Sequence, residues 1–338
     1  MNKKTAFGAK FRSFSEKFVI LYLMIAVAVG MSFYNKNYLS LNNLVSILRS
    51  MAVQGIMACS MTMVLVNGDI DLSFTSIAAF GPLLSSILAE KLSQAGIMPV
   101  TGGILLGLAI SVLAAILIGH INAYLIYIWK MPAMIVTLAM QYIVYGLAGI
   151  ISKGWAYYTL PDWWKFFVTN RVFNDKIPIC IFIFLLVWAA FYVVMNHTKF
   201  GRSVYAVGGN AEAARLSGIN VYRVKKIVLS VNQLCSLLAG IVLSSQIMST
   251  SASLASTLAL TVVAAVIIGG TSISGGGGSV LGTLLGLAFL QVIINAMTIA
   301  NLTEYPQYIA RGLMIIFAIM LNIVQSRPKK KKTDRNRA

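Results

Sequence analysis

Apolar stretches of about twenty residues recur along the whole chain, separated by short polar connections. Hydropathy and length place ten spanning helices at approximately 18–34, 44–66, 72–90, 100–128, 132–151, 177–196, 224–247, 256–272, 279–299 and 308–325. The fourth is longer than a bilayer requires, so it is expected to tilt, break or project beyond the membrane. One connection differs from the others: residues 197–226 form a polar, basic island between two long apolar runs. Within it, Asn210 to Ser217 reads as a short helix, opened by Gly208-Gly209, N-capped by Asn210 and closed by Gly218. Isolated helices under about 12–15 residues are marginal in water, so this one needs a partner surface. An ordinary interfacial loop covering its own bundle is the alternative.

Composition narrows the class. Of 338 residues, 58% are hydrophobic and 11% charged, against about 25% charged in soluble domains. The expected fold class is all-α: a polytopic membrane helical bundle, one domain over 1–338, without a soluble domain or a Gly/Ser or Pro-rich linker. A net charge of +18 would suggest nucleic acid if the chain were soluble. Here the cations collect in 1–17, in the 327–338 tail and at Lys199, Arg202, Arg215, Arg223, Lys225 and Lys226. The positive-inside bias gathers such regions in the cytoplasm, and ten crossings put both termini and the 197–223 loop there. Eight crossings would do the same. The 152–176 loop, with Lys153, Lys165, Arg171 and Lys176, is the exception on the other side. The tail can also meet anionic lipid headgroups, and no nucleic-acid partner is expected. Ala26-Val27-Ala28 resembles a signal-peptide cleavage site, but apolar character continues to about Tyr34, which favours an uncleaved first helix. Cys59, Cys180 and Cys235 lie far apart in apolar runs and read as small core hydrophobes, with no disulfide or zinc framework.

Several chemistries are excluded. No Gly-Lys pair occurs, so the chain has no P-loop, and ATP hydrolysis must come from another polypeptide. Asp69, Asp71, Glu90, Asp162, Asp175, Glu212 and Glu304 sit in loops or near helix ends. That placement offers no deep proton relay of the kind proton-driven carriers use; sodium coupling through backbone carbonyls stays open. No metal-ligand cluster and no nucleophile–base arrangement supports a membrane-embedded enzyme.

Three motifs carry a family resemblance. The first is Thr198 to Gly218, continued by Ile219-Asn220-Val221; the second is Asn67 to Ser73; the third is Val263 to Gly282. Taken in their order along the chain, they resemble elements of the permease subunits of ribose- and galactose-type ATP-binding-cassette importers, over most of the chain. The resemblance implies that 198–219 is a coupling helix docking in a cleft of the ATPase, through Gly201, Arg202, Gly208, Gly209, Asn210, Glu212, Ala213, Ala214, Arg215, Ser217 and Gly218. It also implies a second permease subunit, identical or not, an ATPase with two cassettes that holds ATP and Mg²⁺, and an extracytoplasmic solute-binding protein. This chain would bind no cofactor itself and would sit in the bacterial inner membrane.

Structural or gating roles are expected at the other two motifs. Asp69 and Asp71 precede the third span, where a carboxylate can cap a helix N-terminus for about 0.3–1 kcal/mol, with Ser73 supporting the turn. Gly269, Gly270, Gly275, Gly276 and Gly278 suit a tight turn with close backbone approach. Gly278, Gly282 and Gly286 fall four apart, as on a small-residue packing face. Two departures bear on substrate or gate: Phe74-Thr75 replaces a Val-Gly frequent in the family, and Thr257 to Thr261 lacks its usual carboxylate.

For a solute path, Gln54, Gln141, Asn232, Gln233, Gln246, Gln291 and Asn295 are the candidates, because sugar hydroxyls need uncharged donors and acceptors. Interhelical hydrogen bonding, about 0.6 kcal/mol each, is the competing use. His120 reads as a packed polar residue. Trp155, Tyr157, Tyr158, Trp163, Trp164, Phe166 and Phe167 read as an interfacial aromatic belt, or as an outer helix that meets a delivery protein. The resulting expectation is a non-catalytic permease subunit importing a simple sugar or related small polar solute. A self-sufficient secondary carrier or channel is the rival. Nucleosides, polyols and furanone-type signals stay open as cargo.

Overall fold

The computed structural model describes residues 21–172 and 177–326. The 1–17 segment, the start of the first apolar run, Asp175, Lys176 and the 327–338 tail lie outside them. Helices dominate: α1 (described over Leu21–Tyr34), α2 (Leu41–Val66), α3 (Phe74–Gln94), α4 (Val100–Tyr127) and α5 (Ala133–Ser152) come first. A 3-10 turn (Asp162–Lys165), α6 (Phe166–Thr169) and a two-residue antiparallel ladder, β1 (Arg171–Val172) with β2 (Ile177–Pro178), follow α5. Then come α7 (Ile179–His197), α8 (Lys199–Gly209), α9 (Ala211–Leu216), α10 (Val221–Ile247), α11 (Leu258–Ile268), α12 (Val280–Ile299) and α13 (Glu304–Ser326).

Among the described residues, six helices are long and apolar enough to cross a membrane: α2, α4, α5, α7, α10 and α12. α4 is one unbroken helix of 28 residues. The eighth expected span, 256–272, is helical for only eleven residues. Its neighbours 248–257 and 269–279 are irregular, and both carry the serine and glycine that weaken a helix. Prolines set several boundaries, with Pro99, Pro132 and Pro178 at the N-caps of α4, α5 and α7. Their fixed φ suits helix entry, and the donor they lack would be unpaired there anyway.

α2 and α10 are the centre of the bundle. Each buries 61% of its most apolar stretch, against 28% for α5 and α7, whose outward faces stay apolar as a lipid-facing surface must. α10 packs on α2, α3 and α4, and α7 packs on α2. Inside α3, Pro82 has no N–H to give the carbonyl of Ala78. Gly240 of α10 packs directly on that carbonyl; a Cβ there would lie 1.9 Å from its oxygen. The proline thus frees an acceptor at a point where two helix backbones approach closely.

The ends of the bundle differ. At one end the 67–73 turn, α8, α9 and the 269–279 turn gather. At the other, Trp164 is buried, with its Nε1 donating to Ser244 Oγ (3.1 Å) while Ser245 Oγ donates to the Trp164 carbonyl (2.6 Å). Thr159 bonds Glu90 there. The aromatic loop is therefore more than a surface belt: Trp164 is embedded, while Trp155 and Tyr158 stay exposed. After α10, Thr250 exchanges backbone hydrogen bonds with Tyr157 (2.8 and 2.9 Å), and its side chain reaches Ser86 Oγ (3.1 Å). The chain then runs inward without helix to Ser256, beside Thr75 and Gln141.

Candidate coupling module and solute path

The polar island folds as two short helices. Thr198 caps α8 by accepting from the Gly201 amide (3.1 Å), and Asn210, extended at φ −161°, caps α9 by accepting from the Ala213 amide (2.9 Å). Gly218, at φ +84°, closes α9 with its amide on the Arg215 carbonyl, 3.0 Å, and Ser217 Oγ donates to Ala213 O (2.9 Å). Asn220 then caps α10. Gly208 and Gly209 are the last residues of α8 and do not form the opening of the second helix. Outside the bundle, α9 presents Glu212 and Arg215, joined at 2.5 and 3.1 Å. The Arg215 guanidinium holds the Glu212 carboxyl below its usual range. Arg202 is exposed on α8, while Gly201 and Ala214 face inward and are buried.

α8 is anchored by glycine. A Cβ on Gly208 would stand 1.7 Å from the Val66 carbonyl oxygen and 2.8 Å from the Gly276 nitrogen. The Gly276 amide itself donates to Val66 O (2.8 Å), and Tyr205 donates to the Gly278 carbonyl (2.9 Å). Gly275, at φ +83°, packs on both Gly68 and Gly208. The end of α8 is therefore wedged between two turns that interrupt the bundle. Gly269 and Gly286 bring α11 against α12, and Gly282 packs on the Gly269 carbonyl. Gly278 lies before α12 and packs on Thr271, so the expected three-glycine face reduces to Gly282 and Gly286 on the helix. Gly270, at φ +86°, ends α11 with its amide on the Ile267 carbonyl (2.9 Å).

The two aspartates of the 67–73 turn have different roles. Asp71 accepts from the Ser73 amide (2.9 Å) and hydroxyl (2.6 Å), which closes the turn before α3 without capping the helix, whose N-terminus has no side-chain cap. Its other oxygen accepts from Asn232 (2.9 Å) and Gln233 (2.7 Å) of α10. Ser73 Oγ in turn accepts from Gln233 (2.8 Å) and from Asn122 of α4 (3.0 Å). Asp71 is fully buried, so an acid read as part of a loop is a node inside the bundle. Asp69 does not cap: it pairs with Lys225 in the first turns of α10 (2.5 Å) and accepts from Asn67 (2.9 Å).

The candidate amides separate by partner. Gln54 accepts from Gln291 (2.7 Å), Asn295 donates to Asn43 (2.9 Å), and Gln246 reaches the Arg49 carbonyl (3.5 Å). Asn232 and Gln233 serve Asp71. Those six hold helices together, as buried amides must when no water is available. Gln141 also bonds across helices, to Thr75 Oγ1 of α3 at 3.3 Å, and differs in facing a cavity. It lines a cavity of about 210 Å³ with Thr75, Ser76, Tyr142, Tyr145, Ala252, Ser253 and Ser256. The serines of 251–256 carry no hydropathy signal; their clustering after an apolar helix was the one available hint. His120 is packed, with Nδ1 at 2.7 Å from Ile116 O and 3.0 Å from Ser230 Oγ.

A helical bundle with apolar outer faces, an interrupted eighth segment and an anchored helical appendage defines an integral membrane permease. Residues 43–321 match the family described as the branched-chain amino acid transport system / permease component, and the chain belongs to that family. It is 33% identical over 305 residues to the ribose import permease protein RbsC of Bacillus subtilis (strain 168), covering 90% of this chain and 91% of the relative. It is 32% identical over 308 residues to the ribose import permease of Haemophilus influenzae, covering 90% and 91%. It is 30% identical over 328 residues to the L-arabinose transport system permease protein AraH of Escherichia coli (strain K12), covering 96% and 97%. The family description refers to amino acids, whereas these relatives are named for pentoses. No solved structure matches the chain.

Proposed function

We propose that the chain is the permease subunit of an ATP-driven importer for a simple sugar, with a pentose as the first candidate because the relatives are named for ribose and arabinose. It crosses the membrane ten times with both termini and α8–α9 in the cytoplasm, the side on which the basic segments gather. The assembly holds two permease subunits, an ATPase with two cassettes that carries ATP and Mg²⁺, and an extracytoplasmic binding protein. α9 is the docking element. Its Glu212–Arg215 face projects outward, while α8 behind it is wedged against the 67–73 and 269–279 turns. This is the observation that carries the reading: a helix of six residues is too short to persist alone, so its exposed face serves a partner.

A push on α9 passes to the bundle through Gly208 and through the Asp69–Lys225 pair at the start of α10. Moving a 1:99 population of states to 99:1 needs a differential of about 5.5 kcal/mol, which nucleotide binding by the ATPase must supply through this contact. Glu212→Lys or Gly218→Pro is expected to uncouple ATP hydrolysis from uptake while the subunit still inserts, because proline cannot adopt the positive φ of Gly218. Normal uptake by both variants, or labelling that places α9 outside the cell, refutes docking. ATP-independent, gradient-driven flux through the purified chain in liposomes would favour the self-sufficient carrier.

A further inference from the structure

The cavity beside Gln141 has features of a binding site that interhelical packing does not require. Gln141 lies near the middle of the twenty-residue α5, and Thr75 and Ser76 open α3 beside it. The third wall is the irregular 252–256 segment, followed by the N-terminal end of α11, where Thr257 makes no side-chain cap. Irregular backbone at membrane depth is tolerated only where protein buries it or a polar cavity receives it. Interrupted helices around mid-membrane sites recur in transporters for that reason.

The lining is hydroxyl, amide and aromatic, with no charged side chain. Among the described residues, the Gln141 carbonyl oxygen and the hydroxyls of Tyr142, Tyr145 and Ser256 make no hydrogen bond. These groups line the cavity and are available to a solute. The volume of about 210 Å³ falls below the roughly 300–1,000 Å³ of drug-sized sites, which suits one small solute.

We propose that this cavity is the mid-membrane substrate subsite, and that it holds one neutral monosaccharide. The Gln141 amide and the Ser256 and tyrosine hydroxyls bond the sugar's hydroxyls, while a tyrosine ring packs on its C–H face. A phosphorylated or acidic sugar is excluded, because no cation lines the site to offset a buried charge. The subsite rests on the importer reading. Its walls also connect to the drive: Ser73, two residues before Thr75, is bonded through Asp71 and Gln233 to α10, which leaves the coupling module.

The test uses the complete importer, permease with ATPase and binding protein, in proteoliposomes, with D-ribose and L-arabinose as probes. Cys59 and Cys180 are buried and Cys235 is partly so, whereas Ser256 is exposed to the cavity. A hydrophilic, negatively charged methanethiosulfonate is expected to abolish uptake by Ser256→Cys and to spare the parent. Gln141→Leu is expected to cut uptake about tenfold at saturating loaded binding protein, the loss of one hydrogen bond. Binding-protein-stimulated ATPase stays intact, so more ATP is spent per sugar; a merely structural defect would lower both. Unchanged uptake in modified Ser256→Cys and in Gln141→Leu overturns the subsite alone. Absence of ATP-dependent uptake of either sugar by the parent is a separate failure, that of the importer reading.

Discussion

Gly208 and Gly209 are neighbours in the last turn of α8, yet the structure assigns them opposite sensitivities. Replacing Gly208 with alanine puts a methyl 1.7 Å from the Val66 carbonyl oxygen and 2.8 Å from the Gly276 nitrogen. Both are backbone atoms, so no rotamer change relieves the overlap. Overpacking of this kind costs about 1–3 kcal/mol. Pushing the turns apart also weakens the 2.8 Å bond from Gly276 to Val66, worth about 0.5–1.5 kcal/mol. Alanine returns up to about 1 kcal/mol of helix propensity, leaving a net loss of about 1–3 kcal/mol. At Gly209 a Cβ meets its nearest atom at 4.0 Å, an ordinary contact, so the same propensity gain stands unopposed. Thermal melting of the purified assembly, with ATPase and uptake measured together, checks this. Gly208→Ala should melt lower and lose uptake before ATPase; Gly209→Ala should match or exceed the parent. Equal behaviour of the two variants would refute the wedge.

Three further outcomes are expected. Lys225→Met leaves Asp69 buried without its cation and should cost about 3–5 kcal/mol in melting experiments; adding Asp69→Asn should recover part of it. Asp71→Asn presents an amide where Asn232 and Gln233 already donate, so a loss of about 1–3 kcal/mol and poorer membrane yield are expected; wild-type melting would show the network to be dispensable. Since the Glu212 carboxyl is held below its ordinary value of about 4.3, its ion pair is complete above that pH and is lost as pH falls through the lower folded value. Affinity of the permease for its ATPase should therefore be flat from about pH 8 to 5 as far as Glu212 is concerned; a decline in that range that Glu212→Gln abolishes would contradict the assignment.

Local signals were legible, and those depending on distant partners were not. The Asn210 cap and the Gly218 stop each depend on residues within four positions, so the α9 boundaries follow from neighbours alone. Gly208 reads as a helix breaker until the Val66 carbonyl, more than a hundred residues earlier, explains the missing side chain. Asp71 reads as a helix cap; it instead closes the turn before α3 on Ser73, and its second oxygen is committed to α10 side chains about 160 residues away. The seven amides were equivalent in sequence, because an interhelical pair and a solute contact need the same chemistry. Only the spatial partner separates Gln141 from Gln54 and Gln291. Hydropathy also extended the eighth span across 256–272, since it weighs apolar character and is indifferent to the glycines that end α11 at Ile268.

The brevity of α11 bears on how the chain reaches its final arrangement during synthesis. Eleven helical residues reach about 16 Å, half of a hydrocarbon layer about 30 Å thick. Such a piece has no stable resting place while it is the newest part of a growing polypeptide. It must wait for α12, joined to it by the glycine turn, and enter as the junior member of a hairpin. A nascent chain that has emerged from the ribosome only as far as Ile268 would therefore have α10 settled and the next segment still at the surface.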